Sequence, residues 1–153
     1  MILPDVNVLV HAFRESAEDH DAYARWLGEA SRREDLLLPD AVVTGFLKVV
    51  TNRAVVEPAV TATEAFRFVD ALRSAAWVRT ALGSRIVLDR LRELCADDPG
   101  LRGNLVPDAH LAATALAHDA RLATRDHGFA RFPGLRWFDP AAGRRARASP
   151  RPD

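Results

Sequence analysis

Cysteine and lysine are almost missing from this chain. Cys95 is the one cysteine among 153 residues, which excludes an internal disulfide framework and any zinc site built on cysteine. Lysine occurs once, at Lys48, against twenty arginines, so chemistries that require a lysine have a single candidate position. No apolar run approaches the ~20 residues of a membrane span. The opening Met1-Ile2-Leu3-Pro4-Asp5 lacks the charged leader and small-residue cleavage site of a signal peptide. A cytoplasmic protein with no membrane attachment is expected. An excess of either charge is missing too, since 21 basic side chains meet 21 acidic ones. That balance conceals a split. Residues 143–153 hold four Arg and one Asp, a surplus of +3, which leaves −3 on residues 1–142.

At 48% hydrophobic and 27% charged residues, the composition is that of an ordinary soluble globular protein. A chain of this length suits one domain, able to bury roughly 68–70% of its unfolded surface. There is no internal repeat and no linker that would separate two domains. Residues 1–142 are therefore expected to form the domain. Residues 143–153, Arg-rich and without apolar periodicity, are expected to be a disordered tail.

The body alternates strand-like and helix-like segments. Ile2 to Asp5 reads as a short strand leading into a helix through Val8 to Phe13. Tyr23, Trp26, Leu27 and Ala30 recur at the spacing of one helical face. Leu36-Leu37-Leu38, closed by Pro39, reads as a buried strand, and Val42 to Val50 as the next helix. Thr61 and Glu64 make a capping box before Phe66, Val69 and Leu72. Trp77-Val78-Arg79 reads as a brief strand, with Ser84 capping the helix after it. Leu105 to His118 is Ala-rich and apolar nearly all round, as a helix packed closely on a sheet would be. Arg121 to Thr124 and Leu135 to Phe138 supply the last strands. This interleaving predicts an α/β fold, with a mainly parallel sheet covered on both faces. Ligands of such sheets bind at the carboxyl ends of strands, near a reversal of strand order.

Three acids fit that rule. Asp5 ends the first strand, Asp126 follows Leu122-Ala123-Thr124, and Pro107 places Asp108 in the first turn of the Ala-rich helix. If the first and fourth strands are neighbours, the three carboxylates meet at one edge of the sheet. Two unit charges 4 Å apart repel by roughly 4 kcal/mol at an effective dielectric of about 20. Such a cluster stays ionised when a cation sits in it. Mg²⁺ or Mn²⁺ suits carboxylate oxygens and retains waters that a phosphate can displace, and the helix N-terminus beneath Asp108 adds partial positive charge. Phosphodiester hydrolysis is the chemistry such a centre does best. Taken singly, an Asp after a strand is more often a cap or turn former.

The segment from Gly103 through Val106-Pro107-Asp108-Ala109-His110 to Ala113 closely resembles a motif of the PIN-domain VapC toxins, as does Arg121-Leu122-Ala123-Thr124-Arg125-Asp126-His127 through Trp137. Asp5-Val6-Asn7-Val8-Leu9 is similar to the opening Asp-x-Asn motif of that family, and Phe46 to Asn52 to its second conserved helix. The resemblance spans roughly residues 2–140. It implies a three-layer α/β/α PIN fold and a Mg²⁺- or Mn²⁺-dependent endoribonuclease, the toxin of a type II toxin–antitoxin pair. Carried over by position, Asp5 and Asp108 are the metal ligands, and Asp126 is a third catalytic acid that binds the metal directly or through water. Asn7 and Thr124 orient Asp5 and Asp126. The products carry 5′-phosphate and 3′-hydroxyl ends. An RNA substrate, a VapB-type antitoxin and a homodimer are implied as partners.

The sequence departs from the family at two acids, with Gly45 where many PIN domains carry Glu and Gly128 where a further Asp is usual. This weakens the case for a second metal, and it admits an alternative, a weakened nuclease that acts mainly by binding its antitoxin and operator complex. Asp40 reads as an N-cap rather than a substitute acid. His110, two residues past Asp108, should turn some 200° away from it, onto an outer or partner-facing surface. His127 reads as a solvated turn residue rather than a phosphate contact, and His11 as a candidate metal ligand or base. Trp26, Trp77 and Trp137 suit core positions. Arg125 and Arg131 flank the site as phosphate contacts or as exposed charge with no specific role. A haloacid-dehalogenase-type phosphohydrolase would also open with an acid after the first strand. It needs a second Asp where Asn7 stands, and a lysine, for which Lys48 is the one option.

Overall fold

A computed structural model describes residues 1–81 and 83–142; the Arg-rich segment 143–153, expected above to be a tail, lies outside the described residues. Five short strands form one sheet, β1 (Ile2–Pro4), β2 (Leu36–Leu37), β3 (Val78–Arg79), β4 (Arg121–Ala123) and β5 (Trp137–Phe138). Its order is β3-β2-β1-β4-β5 and every pairing is parallel. β1 and β4 are neighbours, in register from Ile2 opposite Arg121 to Pro4 opposite Ala123.

Six helices connect the strands: α1 (Val6–Phe13), α2 (His20–Arg33), α3 (Asp40–Val50), α4 (Ala62–Arg73), α5 (Arg85–Asp97) and α6 (Val106–Ala117). The chain moves outward from β1 to β2 to β3, then returns past β1 to β4. Right-handed crossovers running in opposite directions place their helices on opposite faces. Accordingly α1 packs on α2 and α3, and α3 on α4, whereas α5 packs on α6. The result is the three-layer α/β/α architecture expected from the alternation of segments.

The sequence explains the packing. Ile2, Leu3, Leu36, Leu37, Leu122 and Ala123 are buried, as strands covered on both faces must be. Ala109, Ala112, Ala113 and Ala115 are wholly buried on α6, where small side chains let the helix lie close to its neighbours. Phe13, Phe46 and Phe68 meet with ring centroids 5.3–5.4 Å apart and join α1, α3 and α4. The Thr61–Glu64 capping box opens α4, and Ser84 caps α5. Among the described residues no helix is long and apolar enough to cross a membrane.

Two local expectations fail. Trp77 is 47% exposed rather than in the core, because it precedes an edge strand that has only β2 beside it. Trp26 and Trp137 are half-buried against the core. Asp40 is the first residue of α3 and not its N-cap; Pro39 holds the cap position without a side-chain bond.

Candidate active site

β1 ends at Pro4, and Asp5 leaves the sheet with extended backbone to cap α1. Its Oδ1 accepts from the Val6 N–H at 2.6 Å, and its own N–H donates to the Ala123 carbonyl of β4 at 2.9 Å. Its Oδ2 accepts from the Thr124 hydroxyl and from Asn7 Nδ2, both at 2.6 Å. The Thr124 hydroxyl in turn accepts from Asn7 Nδ2 at 3.0 Å and from the Asp126 N–H at 3.0 Å. Asn7 Oδ1 closes the circuit by accepting from the Arg125 N–H at 3.2 Å. Thr124 is fully buried and its one donor and two acceptor positions are all used. Asn7 and Thr124 thus clamp the residues that follow β1 to those that follow β4.

Asp126 is exposed and caps a 3₁₀ turn, His127–Arg131, its Oδ1 accepting from the Gly128 N–H at 2.7 Å. A Cβ on Gly128 would lie 2.9 Å from Asp126 Oδ1, so a side chain there would require the Asp126 carboxylate to shift. Asp108 is half-buried in the first turn of α6, entered through Pro107.

Burial pushes the Asp5 carboxyl above the usual carboxylate range. Hydrogen bonds from Thr124 and Val6 oppose this, while the charges of Asp108 and Asp126 add to it. Asp108 is also pushed up, by burial first and then by Asp126, with Arg131 opposing. Asp5 thus feels the charges of both other acids, and Asp108 that of Asp126, at the point where the strand order reverses between β1 and β4.

Beside this polar cluster runs a cavity of about 340 Å³, with Asp5 and Asp108 in its wall and Val6, Val42, Leu91 and Leu111 as its apolar lining. Gly45 faces it from α3. A Cβ on Gly45 would stand 2.6 Å from Val6 Cγ2, so the Val6 side chain occupies the space beside this position. His110, half-buried, lines the same cavity, which extends along α6 rather than stopping at Asp108. Lys48 is exposed on α3.

A family model described as PIN domain matches residues 2–135. Ribonuclease VapC43 of Mycobacterium tuberculosis is 43% identical over 145 residues, which cover 94% of this chain and 97% of that protein. The chain belongs to the PIN-domain family of VapC ribonucleases. Ribonuclease VapC31 of the same species is 35% identical over 92% of this chain and 99% of its own length. The fold is shared with VapBC2 from Rickettsia felis, solved bound to a promoter DNA fragment: the TM-score is 0.68 at 21% identity, covering 91% of this chain and 98% of that one. Membership of the PIN family sets aside the haloacid-dehalogenase alternative.

The donor set of this PIN domain is chemically suited to a hard divalent cation: the carboxylates of Asp5 and Asp108, whose proton affinity is raised by burial first and by neighbouring acids second, with one arginine opposing on Asp108. Among the described residues, however, no three His, Cys, Asp or Glu side chains are gathered closely enough to hold an ion in common. Asp5 is already engaged through both oxygens, and Asp126 through one. Val6 went unnoticed in the sequence, as it would: a valine beside a motif acid carries no chemical signal until the fold sets it against Gly45.

Proposed function

We propose that this protein is the toxin of a VapBC-type pair and cleaves RNA as a Mg²⁺- or Mn²⁺-dependent endoribonuclease, with Asp5 and Asp108 as metal ligands and Asp126 as the third catalytic acid. The observation that supports the assignment is the hydrogen-bond circuit through Asn7 and Thr124, which ties Asp5 to the backbone of Asp126 at the strand-order reversal, while Asp5 and Asp108 line one cavity. When bound there, the cation would lower the pKa of an attacking water and neutralise charge developing on the phosphate.

The protein's own groups hold this arrangement ready. Thr124 and Asn7 fix the Asp5 carboxylate through one oxygen, and the Val6 N–H fixes it through the other. The first turn of α6 places Asp108 where the helix dipole favours its charged form. Asp126 is the most open of the three, so it is the one an incoming phosphate or its water meets first. Hydrolysis would leave 5′-phosphate and 3′-hydroxyl ends.

A VapB-type antitoxin is the proposed partner, laid across the acidic groove. A homodimer is proposed as well, and Ile86 and Leu88 on α5, 67% and 58% exposed, are apolar groups that an association could cover. The cytoplasm, where such an RNA substrate is found, is the proposed location. Residues 1–142 would constitute the nuclease domain.

The test is a cleavage assay on structured RNA with Mg²⁺ or Mn²⁺. Asp5→Ala and Asp108→Ala should each lower the rate by about a thousandfold or more, as loss of several kcal/mol of charge stabilisation implies. Undiminished cutting by both variants, or in excess chelator, would overturn the metal assignment. Gly45 and Gly128 in place of acids favour one other reading, a weakened nuclease that works by binding. Absence of cleavage by the intact protein together with tight antitoxin binding would select that reading.

A further inference from the structure

Two arginines flank the acidic edge, and the structure assigns them opposite states. Arg125 is spent. Its Nη2 donates to Glu18 Oε2 at 3.1 Å, its Nη1 lies 3.0 Å from His11 Nε2, and its side chain is only 24% exposed. His11 Nδ1 meets the Glu18 carbonyl at 2.7 Å. A hydrogen on Nδ1 therefore donates to that carbonyl and leaves Nε2 to accept from Arg125. Arg125 thus joins the segment between α1 and α2 to the segment after β4, with both terminal nitrogens of its guanidinium engaged.

Arg131 is held at one corner only. It is the last residue of the 3₁₀ turn that Asp126 caps, and its Nη2 donates to Asp98 Oδ2 at 2.7 Å. Asp98 is itself braced, its Oδ1 accepting from the Gly100 N–H at 2.8 Å. A guanidinium has five donors, and this ion pair employs one. The side chain remains 35% exposed, and its charge reaches Asp108. A surface ion pair of this kind adds little stability. It does fix a planar, multiply donating cation on the same short turn that Asp126 caps, beside acids that would otherwise repel a polyanion.

We propose that Arg131, oriented by Asp98, is a binding residue for a backbone phosphate of the RNA, donating to a non-bridging oxygen at the acidic edge. Asp98 is then a positioning residue. This rests on the ribonuclease reading above, and it adds a phosphate-binding contact on the protein itself, separate from the carboxylates.

The test measures binding of a fluorescein-labelled oligouridylate by anisotropy over a series of salt concentrations, with the intact protein in excess chelator and, separately, with an Asp5→Asn parent in Mg²⁺. Arg131→Ala should weaken binding roughly tenfold or more and lower the slope of log K against log salt by about 0.7, the share of one phosphate contact on a single strand. Arg131→Lys should keep the slope and lose part of the affinity, since an ammonium keeps the charge without the fork. Asp98→Asn should also keep the slope while weakening binding. An unchanged slope in Arg131→Ala, with only a lowered unfolding temperature, would overturn the proposal and leave the nuclease reading standing. A parent protein that neither cuts RNA nor binds the oligouridylate would overturn both.

Discussion

The two walls of the acidic edge are built on opposite principles. On the β1–β4 side every polar group near Asp5 is answered: Asn7, Thr124 and three backbone N–H groups form a closed circuit, and among the described residues no buried side-chain nitrogen or oxygen lacks a partner. On the α3–α6 side the wall is apolar, shaped by Val6, Val42 and Leu111 and by the missing side chain of Gly45. Hydrogen bonds set the geometry of the first wall and steric fit that of the second. The first should therefore fail when a single atom is removed, and the second when one is added.

The largest effect should come from the polar wall. Thr124→Val keeps the shape and deletes the hydroxyl, leaving Asp5 and the Asp126 N–H each short of a partner. We expect a loss of about 1–3 kcal/mol in urea unfolding and roughly 10–100-fold in cleavage rate, as for other groups that orient metal ligands. Thr124→Ser should retain most of both. A Val variant as active and stable as the parent would show that the circuit does not hold Asp5 in place.

The apolar wall should respond to an added methyl. Gly45→Ala gains about 1 kcal/mol of helix propensity, yet its Cβ would stand 2.6 Å from Val6 Cγ2. Overpacking of this kind costs about 1–3 kcal/mol, so a net destabilisation is expected. Val6→Ala in the same chain should remove it, and the double-mutant cycle measures the coupling. A Gly45→Ala variant more stable than the parent would show that the contact relaxes freely.

A smaller effect compares the acids themselves. Asp5 and Asp108 have raised pKa values in the folded protein without metal. The folded state therefore holds protons that the unfolded state has already released, and stability falls as pH rises from the ordinary carboxylate range through the raised values. Asp108→Asn removes one such group and part of the repulsion on Asp5. Its unfolding midpoint in chelator should therefore fall less over this range than that of the parent. Parallel pH profiles for the two proteins would contradict the coupling.

Much of this was legible beforehand. The alternation of segments, the Pro107 entry to α6, the Thr61–Glu64 box and the positions of Asp5, Asp108 and Asp126 after their elements all follow from local pattern. What failed or went unread involved neighbours distant in the chain. Trp77 has the size and apolarity of a core residue, and only the sheet order places it beside an exposed edge. The angle of His110 around α6 turns it away from Asp108, but the cavity that it lines depends on how α6 meets α3. The division of labour between Arg125 and Arg131 rests on Glu18 and Asp98, which no local spacing links to them.

The near-absence of cysteine and lysine, the alternating strands and helices and the placement of acids after strands are properties of the sequence alone, because each depends on residue chemistry and short-range periodicity. Tertiary structure decided the rest. It set Val6 against Gly45, buried Thr124 where its hydroxyl could serve three partners, and gave two similar arginines different partners, Glu18 and His11 for one and Asp98 for the other. Those outcomes depend on contacts between segments as much as 119 residues apart, where hydrogen-bond geometry and close packing act, and no local pattern of residues encodes them.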